Sequence, residues 1–165
     1  MDIVSHGLWG GVAFGRKNKR NFGIAFFVGM MPDLLSFGIY FITNLLGITE
    51  HPKIGHPDPA SIPHFIYQLY DISHSLIVFA VVFGLVWFFR KKPQWLLGAW
   101  LLHILVDIPT HSFEFFPTPL FWPVSDFKVN GINWGDPIIF FPNLFLLFVF
   151  YSAWYFKSRK LKEKI

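Results

Sequence analysis

The run from Trp95 to Pro109 is apolar except for His103 and Asp107, and His111 follows two residues later. Ionisable side chains are costly at membrane depth, so a chain that keeps three of them there must fold around them. The spacing His103-x-x-x-Asp107-x-x-x-His111 sets each residue about one helical turn after the last, on nearly the same face. Other apolar segments carry comparable residues: Asp2 and His6, Asp33, and Asp71 with His74. The pattern predicts a helical bundle whose polar residues meet inside it at a metal site.

Composition sets the class. Charged residues make up 15% of the chain, while 53% is hydrophobic and 21% aromatic. Soluble domains carry roughly 25% charged residues, so the balance predicts a membrane protein. The length suits a single integral-membrane domain over residues 1–165. Cysteine is absent, which removes disulfides, thiolate metal sites and cysteine nucleophiles together. Histidine and carboxylate must then hold any metal, a donor set suited to zinc, manganese or iron. The basic residues are bunched at Arg16–Arg20, Arg90–Lys92 and Lys157–Lys164, each at the end of an apolar run. That bunching is the positive-inside pattern of a membrane protein, and it argues against nucleic acid as the partner of the +4 chain. Asp2 and His6 stand where a cleavable signal would be basic, so the N-terminal segment is expected to be retained.

The expected fold is an all-α, polytopic membrane bundle of about four transmembrane helices plus a short N-terminal helix. Four segments approach the ~20 residues that a helical span needs. They are Asn21 to Leu46, Ile72 to Phe89, Gln94 to Pro109 with some extension, and Pro137 to Phe156. Asp2 to Phe14 is shorter and Gly-rich. Gly47 to Tyr70 reads as a polar, Pro-rich connection, a candidate lid. Ser112 to Asp136, rich in Phe, Pro and Trp, reads as an interfacial segment. Placing all three basic clusters in the cytoplasm fixes the orientation, with a cytoplasmic C-terminus. His6, Asp107 and His111 then fall toward the extracytoplasmic side, with His74 at the outer end of its helix. Asp33 sits near mid-helix behind Pro32, where proline frees backbone carbonyls.

His103 and Asp107, at i and i+4, form a common divalent-metal pair. His111 lies about 12 Å of helical rise beyond His103, too far to share one ion comfortably. The economical arrangement is two ions with Asp107 between them. Asp33 and His74 complete the ion shared with His103, and His6, with Asp2 or His111, holds the second. Paired metals stabilise the attacking and leaving oxygens of phosphoester hydrolysis and activate water. Plainer readings stand beside this one. A lone intramembrane histidine commonly just hydrogen-bonds a neighbouring helix. Asp71 reads better as the N-cap of a helix starting at Ile72 than as a ligand, and Asp2 reads equally as cap or ligand. His111 is either a ligand or has left the helix after Pro109. His51, His56 and His64 read as solvated loop residues, and Glu114 and Asp126 as substrate contacts or solvent-facing groups.

Several of these pieces are familiar together: Ser5-His6-Gly7, Met31-Pro32-Asp33, Ser73-His74-Ser75-Leu76, His103-Ile-Leu-Val-Asp107 with Thr110-His111, and Pro119-Leu-Phe-Trp-Pro123. In this order the chain resembles the YdjM-like family of inner-membrane, metal-dependent hydrolases, itself similar to zinc-dependent phospholipase C and the fungal single-strand nucleases. The resemblance implies one zinc on Asp33, His74, His103 and Asp107, with Asp107 bridging to a second zinc on His6. Two local departures stand out. Leu34-Leu35-Ser36 replaces the acidic residue often found after Pro-Asp, and Tyr70-Asp71-Ile72 replaces a basic residue before Ser-His. No H-x-x-x-E is present for a third zinc.

The functional expectation is a phosphoesterase of the prokaryotic cytoplasmic membrane, acting at its outer face on a phospholipid or lipid-linked phosphate. Asp107 and His111 are the expected catalytic residues. The cofactor is zinc, one or two ions, with manganese as the substitute. Two readings from other classes compete: a metal-ion or proton transporter using the buried His and Asp residues, and a non-catalytic protein whose helices a metal staples together.

Overall fold

The computed structural model describes residues 1–49 and 59–162. These are mostly helical, with no β-strand among them. Helix α1 spans Ile3–Phe14 and α2 Lys19–Leu45, the latter interrupted by a π-helical turn at Leu34–Gly38. Helix α3 is His64–Ser73, α4 Leu76–Arg90, α5 Gly98–Thr110 with a 3-10 turn at Trp95–Leu97 before it, and α6 Pro137–Lys162. Two of these, α2 and α6, are long and apolar enough to cross a membrane, and α3 with α4 makes a third if the bent pair is one span.

Glycine explains the closest packing. A side chain at Gly10 would meet the Ala25 carbonyl oxygen at 2.5 Å, and one at Gly29 the His6 carbonyl oxygen at 2.6 Å. So α1 lies backbone to backbone against α2, the close approach that small residues permit between membrane helices. Helix α5 closes the group: Gly98 leaves room for the Phe14 ring, and Ala99 lies against Gly10. Helix α6 packs differently. On α6 Asn143 and Leu147 are buried, while Phe141, Phe145 and Phe148 are largely exposed. Its attachment is polar and local. The Trp9 indole donates to Asn143 Oδ1 (2.8 Å), the Asn143 amide to Ser5 Oγ (2.9 Å), and the Tyr151 hydroxyl to the Leu8 carbonyl (2.9 Å).

Three contacts place the basic clusters at one end of the bundle. Phe22 stacks on Trp154, Gly98 abuts Phe14, and Phe83 lies near Trp95. The turns after α1 and α4 and the end of α6 therefore share that end. His6 near the start of α1 and Asp107 near the end of α5 lie toward the other.

Several boundaries differ from those expected. The segment expected to start as a helix at Ile72 is instead two helices, α3 and α4, bent by 56° at His74. The break comes from Ser75, which accepts from the amides of Ile77 and Val78 and so caps a new helix. Asp71 therefore lies inside α3 and is not an N-cap. Asp2 is one, with its carboxylate accepting from the Ser5 amide at 2.9 Å. Part of the expected 47–70 loop is α3 itself. His64 is exposed at the start of that helix, and His51 and His56 lie outside the described residues. The 112–136 segment does more than lie at an interface, because Phe116, Thr118, Pro119 and Leu120 are buried. Its carbonyls serve α4: Leu120 accepts from the Leu76 amide and Trp122 from the Ser75 hydroxyl. The Trp95–Thr110 segment is a short apolar helix rather than a full-length one.

Candidate metal centre

Asp107 is fully buried and is the hub of the polar interior. Its Oδ2 faces His103 Nε2 at 3.1 Å, the i,i+4 partner one turn before it, and His74 Nε2 at 3.5 Å. Asp33 Oδ1 reaches the same two nitrogens, at 3.5 Å from His74 and 3.8 Å from His103. Ligand atoms of Asp33, His74, His103 and Asp107 all lie within 4.8 Å of one another, close enough to bind one metal ion. The other oxygen of the same carboxylate, Oδ1, faces His6 Nε2 at 2.9 Å and His111 Nδ1 at 3.3 Å. The Met1 amino group also lies there, at 2.5 Å.

Backbone carbonyls orient the two histidines on the Oδ2 side. His103 Nδ1 lies 2.7 Å from the Gly29 carbonyl oxygen, and His74 Nδ1 lies 3.0 Å from that of Tyr70. A carbonyl only accepts, so the Nδ1 that faces it carries a proton, and in its neutral form each ring turns a lone pair outward at Nε2. Those two Nε2 atoms stand 3.0 Å apart, facing two carboxylates. Four electron-rich groups so arranged repel unless a cation sits among them. The unsatisfied atoms repeat the pattern: Asp33 Oδ2, Asp107 Oδ2, His6 Nε2 and His111 Nδ1 are buried without hydrogen-bond partners among the described residues. His6 and Asp107 approach closely without hydrogen-bond alignment, and the His6 ring is stacked on that of His103 at 3.6 Å. This donor set fits a divalent metal, two histidines and two carboxylates with the histidines locked by backbone acceptors.

Each ligand's place has a local cause. Pro32 supplies a carbonyl that accepts from the hydroxyls of Ser36 and Ser73, tying α2 to the end of α3 beside Asp33. The Trp100 indole donates to the Ser73 carbonyl at 2.7 Å, which ties the same break to α5. His111 has left the helix, with extended backbone (φ −121°, ψ 139°), yet its side chain returns to Asp107. The carbonyls left at the end of α5 are taken up by the following segment, Pro109 by the Ile132 amide and His111 by the Gly131 amide.

Of the residues singled out in the sequence, His6, Asp33, His74, His103, Asp107 and His111 come together. Asp2 is occupied in capping. Asp71 is half-buried away from the cluster, and Glu114 and Asp126 are exposed. Gly29 and Tyr70 were not legible as site residues, because their carbonyls do the work and a carbonyl has no residue signature. The small-residue spacing Ala25-x-x-x-Gly29 was the one available hint.

No family model, curated protein or solved structure matches the chain.

A cavity of about 490 Å³ opens beside the cluster and is lined by Asp33 and His111 on one side. Its remaining wall is mostly apolar, with Ile3, Val4, Phe37 and Phe41 among the residues.

Proposed function

We propose that this protein is a membrane-embedded, metal-dependent hydrolase acting on a phosphoester of an amphiphilic substrate, of the kind found in the YdjM-like family. The observation that carries the reading is the convergence of His74 Nε2 and His103 Nε2 on the carboxylates of Asp33 and Asp107, with both tautomers fixed from behind. In this reading Asp33, His74, His103 and Asp107 hold one ion, zinc by donor type with manganese as the alternative. His6 and His111 would hold a second together with Asp107, beside the Met1 amino group. A divalent ion at such a site acidifies water and polarises a phosphoryl oxygen.

The chain's own groups do the rest. Asp107 is aimed in both directions from one carboxylate. Asp33 and His111 border the cavity, so the cluster is open to a ligand, whereas a purely structural metal would be closed off. If only the first ion is bound, His111 at the cavity edge is left free to exchange a proton with the leaving oxygen. The apolar wall excludes water and suits a lipid or lipid-linked phosphate.

The proposed setting is the cytoplasmic membrane of a prokaryote, with α5 as a shorter fourth crossing beside α2, the α3–α4 pair and α6. The shared end of the three basic clusters favours placing that end in the cytoplasm, and the site then faces the opposite side. A proton relay is the second reading, because a 3.0 Å nitrogen–nitrogen contact also suits one shared proton.

Metal content of detergent-purified protein separates the two. One or two zinc or manganese ions per chain, lost in His103→Ala/Asp107→Ala, would support the hydrolase and justify a screen of phospholipids and lipid phosphates. Metal-free protein from metal-replete, chelator-free preparation would overturn it in favour of the relay.

A further inference from the structure

The cavity lies in a notch that the helix lengths create. Gly10 abuts Ala25 and Gly29 abuts His6, so α1 runs antiparallel to α2 in a register that sets Ile3 level with Pro32. Helix α1 begins there, but α2 continues for about 13 residues to Leu45, roughly 20 Å at ~1.5 Å each. Beyond Ile3 the wall comes from Phe37 and Phe41 of α2 and from Phe115 and Trp134 of the segment after α5, with Val4 at the rim of α1. The stretch Leu34–Leu45 carries no charged residue. On the rim Val4 and Phe41 are 55% and 68% exposed, and Leu35, Ile42 and Leu45 beside them are exposed as well. Lipid tails cover such a rim, whereas water would meet bare apolar surface. Depth agrees with this. Asp33 stands near the midpoint of the 27-residue span, about 20 Å from either end, so the cluster lies below the headgroups of a bilayer with a ~30 Å core. The inner end of the notch is nonetheless polar. Asp33 Oδ2 and His111 Nδ1 are buried there without hydrogen-bond partners among the described residues, and both residues line the cavity.

We infer that the notch is a lateral portal, by which an amphiphile dissolved in the bilayer reaches the cluster sideways, from the hydrocarbon of the leaflet opposite the basic clusters and not from water. The ligand class is a membrane-partitioned molecule whose anionic head is drawn down to the metal beside Asp33 and His111 while its apolar part stays in the notch. A small water-soluble phosphoester has the same chemistry at its head but no favoured path to the cluster. The anionic head rests on the proposed hydrolytic metal site. The portal does not, since it follows from the short α1, the uncharged stretch of α2 and the exposed apolar rim.

The chain has no cysteine, so single cysteines carry a nitroxide spin label to chosen positions. Val4→Cys and Phe41→Cys mark the rim. Asp126→Cys, exposed on the segment after α5, and Phe145→Cys, exposed on α6, are the references for water and for lipid. Labelled full-length protein in phosphatidylcholine vesicles is compared for accessibility to oxygen, which concentrates in hydrocarbon, and to a polar nickel chelate, which stays in water. The oxygen-to-nickel ratio at both rim positions is expected to exceed that of Asp126→Cys about tenfold. Rim ratios equal to that of Asp126→Cys would mean a water-filled mouth and overturn the portal. Dodecylphosphonate added to zinc-loaded protein is expected to lower oxygen accessibility at Val4→Cys about twofold, as its chain packs against the label, and to leave Phe145→Cys unchanged. Methylphosphonate at the same concentration is expected to change neither. No response to dodecylphosphonate, an equal response to methylphosphonate, or an equal fall at Phe145→Cys would each overturn the entry route. The full response to dodecylphosphonate in chelator-stripped protein would keep the portal and overturn the metal reading instead.

Discussion

The two oxygens of Asp107 look out on unlike surroundings. On the Oδ2 side, His74 and His103 are each held by a backbone carbonyl on a helix, and Asp33 faces both. On the Oδ1 side, His6 is positioned by ring stacking, and His111 reaches back from extended chain beyond the end of α5. One half is pre-set by helices packed through glycine. The other depends on a turn and a ring contact, and each half sends one residue to the cavity wall, Asp33 and His111. Preorganised ligands bind a metal tightly, while adjustable ones at a cavity edge suit a site that must admit substrate. Under the proposed function, the contrast would put tight metal binding on the Oδ2 side and exchange on the Oδ1 side.

Removing the shared group is the severest way to break that contrast. Asp107→Asn keeps the volume but loses the charge both sides share. Metal content is expected to fall below about a tenth of wild type, with any phosphoesterase activity down about a hundredfold or more. Inductively coupled plasma mass spectrometry beside a lipid-phosphate assay checks both. Wild-type metal content and activity in this variant would sink the bridging role.

The next step separates the sides. His103→Ala is expected to remove the tightly held ion. His111→Ala is expected to leave about one ion per chain and to lower activity by about tenfold to a hundredfold. Equal metal loss in the two variants would show that the sides are not distinct. The distinction was partly legible from spacing alone. One helical turn links His103 to Asp107, and the long rise to His111 already required a second position. What spacing hid was the route by which His111 returns. Thr110 ends the helix, the backbone turns extended, and amides of Gly131 and Ile132 take up the freed carbonyls.

The convergence of His6, Asp33 and His74 was legible for a physical reason. Buried titratable groups in separate apolar segments have few stable places to go except one another. The break at His74 was not legible, because no proline or glycine lies near it, the nearest being Pro63 and Gly84. An apolar run looks alike whether it forms one helix or two. The signal lay in Ser75, which serves as an N-cap only once the carbonyls of Leu120 and Trp122 arrive from 45 and more residues away. Asp71 was misread for the same reason, since a cap residue one turn too early looks equally plausible in sequence.

A gentler variant sharpens the account of preorganisation without touching a ligand. Gly29→Ala places a methyl 2.6 Å from the His6 carbonyl oxygen, so α1 must shift against α2. That shift costs about 1–3 kcal/mol of stability. It also moves the carbonyl that orients His103 and the backbone that carries His6. Metal affinity is expected to fall about tenfold to a hundredfold, read by competition with a chromophoric chelator. Unchanged affinity in a destabilised protein would mean that the carbonyl is dispensable.

The smallest effect is expected far from the cluster. Asn143 is buried on α6 between the Trp9 indole and the Ser5 hydroxyl, and Ser5 immediately precedes His6. Hydrogen bonds between membrane helices are worth about 1 kcal/mol, because the separated helices also find partners. Asn143→Ala is therefore expected to lower the thermal midpoint in detergent by a few degrees. Metal content should not change, since the stacking of His6 on His103 and the glycine contacts of α1 with α2 do not involve α6. Loss of metal from this variant would place α6 among the supports of the Oδ1 side and make that side less independent than its geometry implies.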